Sequence, residues 1–126
     1  MPDERIRMGK LCEIDVLGTT YKVYEIERDD EAVMDARGCD GYCDHSTKEI
    51  MLRGSFKDPD PKAVANLGYV WDNMMRHEIV HAFLYESGMT GYDSFDGSFY
   101  KNEIIVDWFA VQSPKLFKAF KQAGCI

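Results

Sequence analysis

Residues 71–86 read WDNMMRHEIVHAFLYE, and the rest of the chain is interpreted around this stretch. Apolar residues recur in it at helical spacing, and Ser87-Gly88 follows as a typical helix end, because glycine readily adopts the left-handed conformation. His77 and His81 are four residues apart and therefore lie on one face of the predicted helix, one turn from each other. Two imidazoles in this arrangement can reach one metal ion from the same side.

Glu78 directly follows the first histidine and completes the pattern H-E-x-x-H. Its carboxylate would lie close enough to the ion to exchange a proton with an activated water, as a zinc hydrolase requires. The pattern also occurs in proteins that bind no metal, so the alternative is that both histidines are core residues with satisfied hydrogen bonds. The helical context favours a metal site, because an unpaired polar ring beside a buried helix face costs free energy.

Length and charge limit the classes of protein to which the chain can belong. Its 126 residues predict a single domain, residues 1–126, with one modest core. The net charge of −7 argues against a nucleic-acid binder, which needs a stripe of Lys and Arg. No apolar run approaches the length of a membrane span, and the charged N-terminus leads into no signal-peptide core. We therefore expect a cytoplasmic protein that binds neither nucleic acid nor a membrane.

The cysteines are Cys12, Cys39, Cys43 and Cys125. In a cytoplasmic chain we expect all four to be reduced thiols. A second metal site is conceivable at Cys39, Cys43 and His45, but only if a tight turn at Gly41 brought their side chains close together. In an extended strand about 13 Å would separate the two cysteines, which is too far for one ion. The sequence assigns no other role to this pair.

Alternation of apolar and polar residues predicts four strands in the first half of the chain: residues 11–17, 21–26, 42–44 and 49–53. The first two are expected to form a hairpin around a turn at residues 18–20. Residues 27–37 could form either a short helix or a loop.

Helical patterns dominate the second half. One begins near Lys62 and can break at Gly68, before the H-E-x-x-H helix. Residues 103–111 predict the next helix, and Ser113-Pro114 is expected to start a separate last helix, since proline suits a first helical turn. Strands followed by helices predict an α+β domain. The loop between the two helical patterns contains Tyr92 and Tyr100, whose rings could simply pack locally or could contact a substrate and donate a hydrogen bond to it.

A catalytic zinc usually has three protein ligands, so the two histidines need a partner. Glu103 opens the helix after the H-E-x-x-H helix and could supply a carboxylate if the two helices pack together. The alternative is a solvated carboxylate stabilised by the helix dipole. Asp107, one turn further along, could accept an N–H from a ligating histidine and orient its ring. Glu86 is rotated off the histidine face, which favours a surface role. Less favoured candidates for the third ligand are His45, Asp93 and Asp96.

Residues 76–83 (RHEIVHAF) and 102–110 (NEIIVDWFA) together resemble the small zincin-type metallopeptidases of bacteria and their phages. Among these, the ImmA/IrrE-like group has a second motif, E-x-x-A-N-x-F-A. Glu103, Phe109 and Ala110 match this motif, whereas Val106 and Asp107 depart from it. Asp107 is instead similar to the Asp of the E-x-x-x-D motif in larger gluzincins, where it orients a ligating histidine. The resemblance covers residues 40–112.

This resemblance implies a zincin-like α+β fold in which a short twisted N-terminal sheet packs on the H-E-x-x-H helix, with further helices after it. It implies zinc (Zn²⁺) bound by His77, His81 and Glu103, with Glu78 as general base for peptide hydrolysis. An edge strand at residues 49–53 could hold an extended peptide by strand addition. Family members cut repressor proteins, so the implied substrate is a protein.

Two other functions remain open at this stage. The chain could be a zinc-binding interaction module without catalysis. It could also be a metal-free adaptor with histidines in its core.

Overall fold

The computed structural model describes residues 8–27, 32–37, 39–54, 67–89 and 103–126, which form one mixed four-stranded sheet and three helices. The strands are β1 (Met8–Val16), β2 (Thr19–Ile26), β3 (Gly41–Asp44) and β4 (Glu49–Arg53). The helices are α1 (Ala32–Arg37), α2 (Leu67–Glu86) and α3 (Glu103–Ala123). The predicted α+β class is confirmed. None of the described helices is long and apolar enough to cross a membrane.

The sheet has the order β1-β2-β4-β3, with antiparallel pairs at both ends and a parallel pair, β2 with β4, in the middle. The β1–β2 hairpin turns at Leu17 and Gly18, whose φ angles are 53° and 91°. Positive φ at both central residues is typical of the two-residue turn that matches strand twist. The turn is therefore shorter than predicted, and Thr19 and Thr20 belong to β2.

β4 lies between β2 and β3, so the prediction that residues 49–53 form an edge strand is wrong. All four residues from Glu49 to Leu52 are buried. Both faces of this strand are covered, as is typical of strands with a continuous apolar run such as Ile50-Met51-Leu52. The edge strands of the described sheet are β1 and β3.

Helices cover both faces of the sheet. On one face, α2 contributes Trp71, Met74, Met75, Ile79 and Ala82 to the cluster around the buried residues Val16, Tyr21, Val23, Ile50 and Leu52. On the other face, Met34 of α1 packs with Ile26 and Met51. The H-E-x-x-H helix therefore lies directly on the sheet.

α2 ends where the sequence predicts, but it begins earlier. Gly88 has a φ of 80°, and its N–H donates to the carbonyl of Tyr85 at 3.0 Å. Gly68, where the sequence predicted a possible break, is the second residue of α2. The predicted start near Lys62 lies outside the described residues.

α3 is one continuous helix, so the prediction of two helices separated at Ser113-Pro114 is wrong. Pro114 lies inside α3 and has no N–H to donate to the carbonyl of Ala110, four residues earlier. Arg76 of α2 donates its Nε–H to this carbonyl at 2.6 Å. A side chain of the neighbouring helix thus replaces the missing backbone donor, and the replacement fixes α3 against α2 next to His77.

Replacing Arg76 with Leu should destabilise the protein by about 1.5–3 kcal/mol, because a buried carbonyl would lose a charged donor. The cost should be clearly smaller in a Pro114→Ala background, since that substitution restores a backbone N–H that can donate to the carbonyl of Ala110. Urea unfolding of the wild type, the two single variants and the double variant measures this coupling.

Lys118→Leu is the control for loss of a cation, because Lys118 is exposed on α3. It should change the free energy of unfolding by less than about 0.5 kcal/mol. Equal losses for Arg76→Leu in both backgrounds would show that Arg76 does not compensate for Pro114.

Candidate metal centre

His77, His81 and Glu103 come together where α2 packs against the first turn of α3. The Nε2 atom of His77 is 2.7 Å from Glu103 Oε2, and the Nε2 atom of His81 is 3.1 Å from Glu103 Oε1. The possible ligand atoms of these residues all lie within 4.8 Å of one another. Among the described residues, this is the group of three that could hold a metal ion.

Asp107 lies one turn after Glu103 and contacts the other side of the His77 ring. Its Oδ1 atom accepts a hydrogen bond from His77 Nδ1 at 2.7 Å. This bond places the proton of a neutral imidazole on Nδ1 and leaves a lone pair on Nε2, which points at Glu103. Asp107 is thus placed as predicted for a carboxylate that orients a metal-ligating histidine.

The donor set fits a divalent cation. A lone pair on His77 Nε2 faces a carboxylate oxygen at 2.7 Å, which is repulsive unless the ring carries a second proton or a cation lies between the two atoms. His81 Nε2 lies 3.1 Å from Glu103 Oε1, where a neutral ring protonated on Nε2 can donate a hydrogen bond to the carboxylate. Two imidazole nitrogens and one carboxylate are ligands that zinc accepts, and other divalent transition metals bind similar sets. Small side-chain shifts would open the space that an ion needs.

Glu78 points inward beside this group and is only 6% exposed. Its Oε2 atom is 3.9 Å from His77 Nε2. The pKa of Glu78 is raised to about 7, chiefly because the carboxyl is buried; His77 opposes the rise, and the nearby charges of Glu103 and Asp107 add to it. A carboxyl with a pKa near neutrality can both take up and return a proton.

The group opens into a cavity of about 590 Å³ between α2, the start of α3 and the chain from residue 39 to 45. β3 forms one wall. At Gly41 a Cβ atom would lie 3.3 Å from Met74 Cγ of α2 and equally close to two neighbours in β4. Glycine here lets β3 approach α2 closely, so the edge of the sheet lies alongside the candidate metal ligands.

Two other residues differ from their predicted places. His45 does not belong to the metal group; its ring lines the cavity and stacks on Tyr85, with centroids 3.9 Å apart. Glu86 was predicted on the surface, but its side chain is only 13% exposed. It accepts hydrogen bonds from Tyr21 Oη at 2.7 Å and from Lys48 Nζ at 2.8 Å. The rotation that takes Glu86 off the histidine face turns it toward the sheet.

Four loop residues that the sequence analysis considered lie outside the described residues: Tyr92, Asp93, Asp96 and Tyr100.

None of the four cysteines forms a disulfide, as expected. Cys39 and Cys43 line the cavity, but within the described residues they do not form a metal group with His45. Burial raises the pKa of the Cys43 thiol to about 12, so it stays protonated near neutral pH and is a poor metal ligand.

Sequence reasoning missed Tyr85 and Arg76. Tyr85 lines the cavity four residues after His81, and the spacing 77, 81, 85 on one helix face could have identified it. Pro114 could have indicated a role for a residue such as Arg76. A proline within an apolar helical pattern leaves the carbonyl four residues earlier without its backbone donor, so a side chain has to supply one.

No protein-family model, no curated protein and no solved structure matches this chain. The function of the site therefore has to follow from its own geometry.

Proposed function

We propose that this chain is a zinc-dependent metallopeptidase that hydrolyses a peptide bond in a protein substrate, with a zincin-like fold. The observation that carries the proposal is the convergence of His77, His81 and Glu103 within 4.8 Å. Two further carboxylates support it. Asp107 orients one imidazole through Nδ1, and Glu78 lies buried next to the group. A structural pair of core histidines could use Asp107 as a hydrogen-bond partner, but it would not need a buried carboxyl such as Glu78 next to it.

His77, His81 and Glu103 would hold the ion, and Asp107 would keep His77 in the tautomer that ligates. Zinc when bound would lower the pKa of water and polarise the scissile carbonyl. Glu78 would take the proton from the attacking water and deliver it to the leaving amine. Its burial favours this role, because a desolvated carboxylate is a stronger base than an exposed one.

An extended peptide is the substrate shape that the cavity favours. β3 pairs with β4 on one side, lies at an edge of the described sheet and contributes residues to the lining of the cavity. Backbone groups at such an edge can pair with a bound peptide, whose scissile bond would then lie over α2. This transfers to β3 the peptide-binding role that the sequence predicted for residues 49–53. The resemblance to enzymes that cut repressors favours a regulatory protein as the substrate.

The purified protein should bind about one zinc per chain. Glu103→Ala should reduce zinc far below one per chain, because one of three ligands is lost. Asp107→Ala should weaken zinc affinity about 10- to 100-fold, since His77 would lose its orienting partner. Elemental analysis of protein purified without a His tag, followed by chelator competition, measures both effects.

Asp72→Ala is the matched control, because Asp72 is an exposed carboxylate on α2. It should leave zinc affinity unchanged. A wild-type protein that takes up no zinc when zinc is supplied would contradict the proposal, and so would full zinc binding by Glu103→Ala.

Glu78→Gln should keep the zinc and lower the rate of cleavage about 10²- to 10⁴-fold, because the amide cannot accept the proton of water. A library of quenched fluorescent peptides and denatured casein provides the assay, with the wild type and Asp72→Ala in parallel.

Cleavage by Glu78→Gln at the wild-type rate would exclude Glu78 as the base. Zinc binding by the wild type without cleavage of any substrate would favour the alternative function, a zinc-binding interaction module.

A further inference from the structure

Arg76 joins α2 to α3 directly beside the candidate metal centre. Its Nε–H donates to the carbonyl of Ala110 at 2.6 Å, and its Nη2 lies 3.5 Å from Asn73 Oδ1 on the preceding turn of α2. Arg76 immediately precedes His77, and Ala110 follows Asp107 by three residues on α3. Consecutive residues of a helix are about 100° apart around its axis, so Arg76 and His77 contact α3 from two different sides.

The two sides of this helix pair differ in character. His77 lines the cavity of the metal group, whereas Arg76 lines a second cavity of about 520 Å³ between α2 and α3, and the two cavities share no lining residue. Apart from Arg76 and Ser113, the second cavity has only apolar lining residues. A hydrogen bond in such surroundings is electrostatically stronger than one in water.

The charge of Arg76 is not used in an ion pair. None of the ion pairs among the described residues includes Arg76, although the protein has a net charge of −7. Placing a charged group in an apolar wall costs free energy, which its own hydrogen bonds have to offset. The bond to the carbonyl of Ala110 is therefore the main polar contact that this guanidinium makes.

This bond differs from the other polar contacts between α2 and α3 in the described part of the chain. The others join His77 and His81 to Glu103 and His77 to Asp107, so they belong to the metal group itself. An ion bound by the imidazoles and Glu103 would replace their direct contacts. The apolar packing between the helices is non-directional and fixes the axial position of α3 less sharply than a hydrogen bond does. Arg76 thus supplies a directional link that does not depend on the ion.

We propose that Arg76 is a positioning residue of the metal centre. Its bond to the carbonyl of Ala110, which Pro114 leaves without a backbone donor, sets the axial position of α3 and thereby the affinity of the site for its ion. This role goes beyond satisfying a carbonyl, because it links Arg76 to metal binding. The inference rests on the proposed function, since it needs an ion at the candidate metal centre.

The affinity for Zn²⁺, measured by chelator competition, tests the inference in the wild type, Arg76→Leu, Pro114→Ala and the double variant. Arg76→Leu should weaken zinc binding about tenfold, because α3 loses the link that holds its carboxylates in place. A carbonyl oxygen accepts two hydrogen bonds, so Arg76 can keep its bond in Pro114→Ala. The loss caused by Arg76→Leu should therefore persist in the Pro114→Ala background, even though the carbonyl there has a backbone donor.

Two control variants separate positioning from loss of charge and from general destabilisation. Lys118→Leu removes an exposed cation from α3. Ile26→Val removes a methylene from the core on the opposite face of the sheet, away from α2 and α3. Both should bind zinc within about twofold of the wild type, because distant sites act independently. Unfolding midpoints of the metal-free proteins show whether each variant is folded.

Unchanged zinc affinity in Arg76→Leu would overturn the inference and leave the metal centre intact. If the double variant bound zinc as tightly as Pro114→Ala, Arg76 would be only a substitute donor, and the inference would be wrong as well. An equal loss in Ile26→Val would assign the effect to general destabilisation and also contradict it. A wild-type protein that takes up no zinc would overturn this inference together with the proposed function, whereas zinc binding without peptide cleavage would contradict only the proposed hydrolysis.

Discussion

The contact of the Glu103 carboxylate with the imidazoles of His77 and His81 is the constraint on which the site depends. It requires α2 and α3 to run antiparallel in one register, so that the first turn of α3 faces the middle of α2. The hydrogen bond from Arg76 to the carbonyl of Ala110 holds this register. A shift of α3 by one turn, about 5.4 Å, would carry Glu103 away from both rings.

The carboxylates concentrated around this contact carry a cost in stability. Glu78, Glu103 and Asp107 lie together in an acidic chain, and their mutual repulsion contributes to the raised pKa of Glu78. A fold selected for stability alone would not place three carboxylates around two imidazoles. Such local conflicts are typical of functional sites, where a bound cation or substrate offsets the repulsion.

Local periodicity was enough to predict the residues that meet at the site. Clear helical spacing of apolar residues predicts the two helices that carry His77, His81 and Glu103. The position of Asp107 beside Glu103 is predictable as well, because residues four apart share one face of a helix. Long-range contacts were not predictable in this way. The interior place of residues 49–53 depends on parallel pairing with β2, and the Ala110 carbonyl that Pro114 leaves without a backbone donor accepts a hydrogen bond from Arg76. In both cases a partner distant in sequence outweighs the local signal.

The site combines two parts that contact each other, since β3 packs closely on α2 where Gly41 meets Met74. α2 and α3 carry the candidate metal ligands, whereas β3 and the turn after it form the wall that a substrate would meet. Glu86, the last residue of α2, joins these parts because it binds Tyr21 of β2 and Lys48 of the β3–β4 turn. A side chain at Gly41 would press on Met74 of α2, which lies three residues before His77. Substrate preference can therefore vary independently of metal binding only at wall positions that do not press on α2, and only while Glu86 keeps the end of α2 on the sheet.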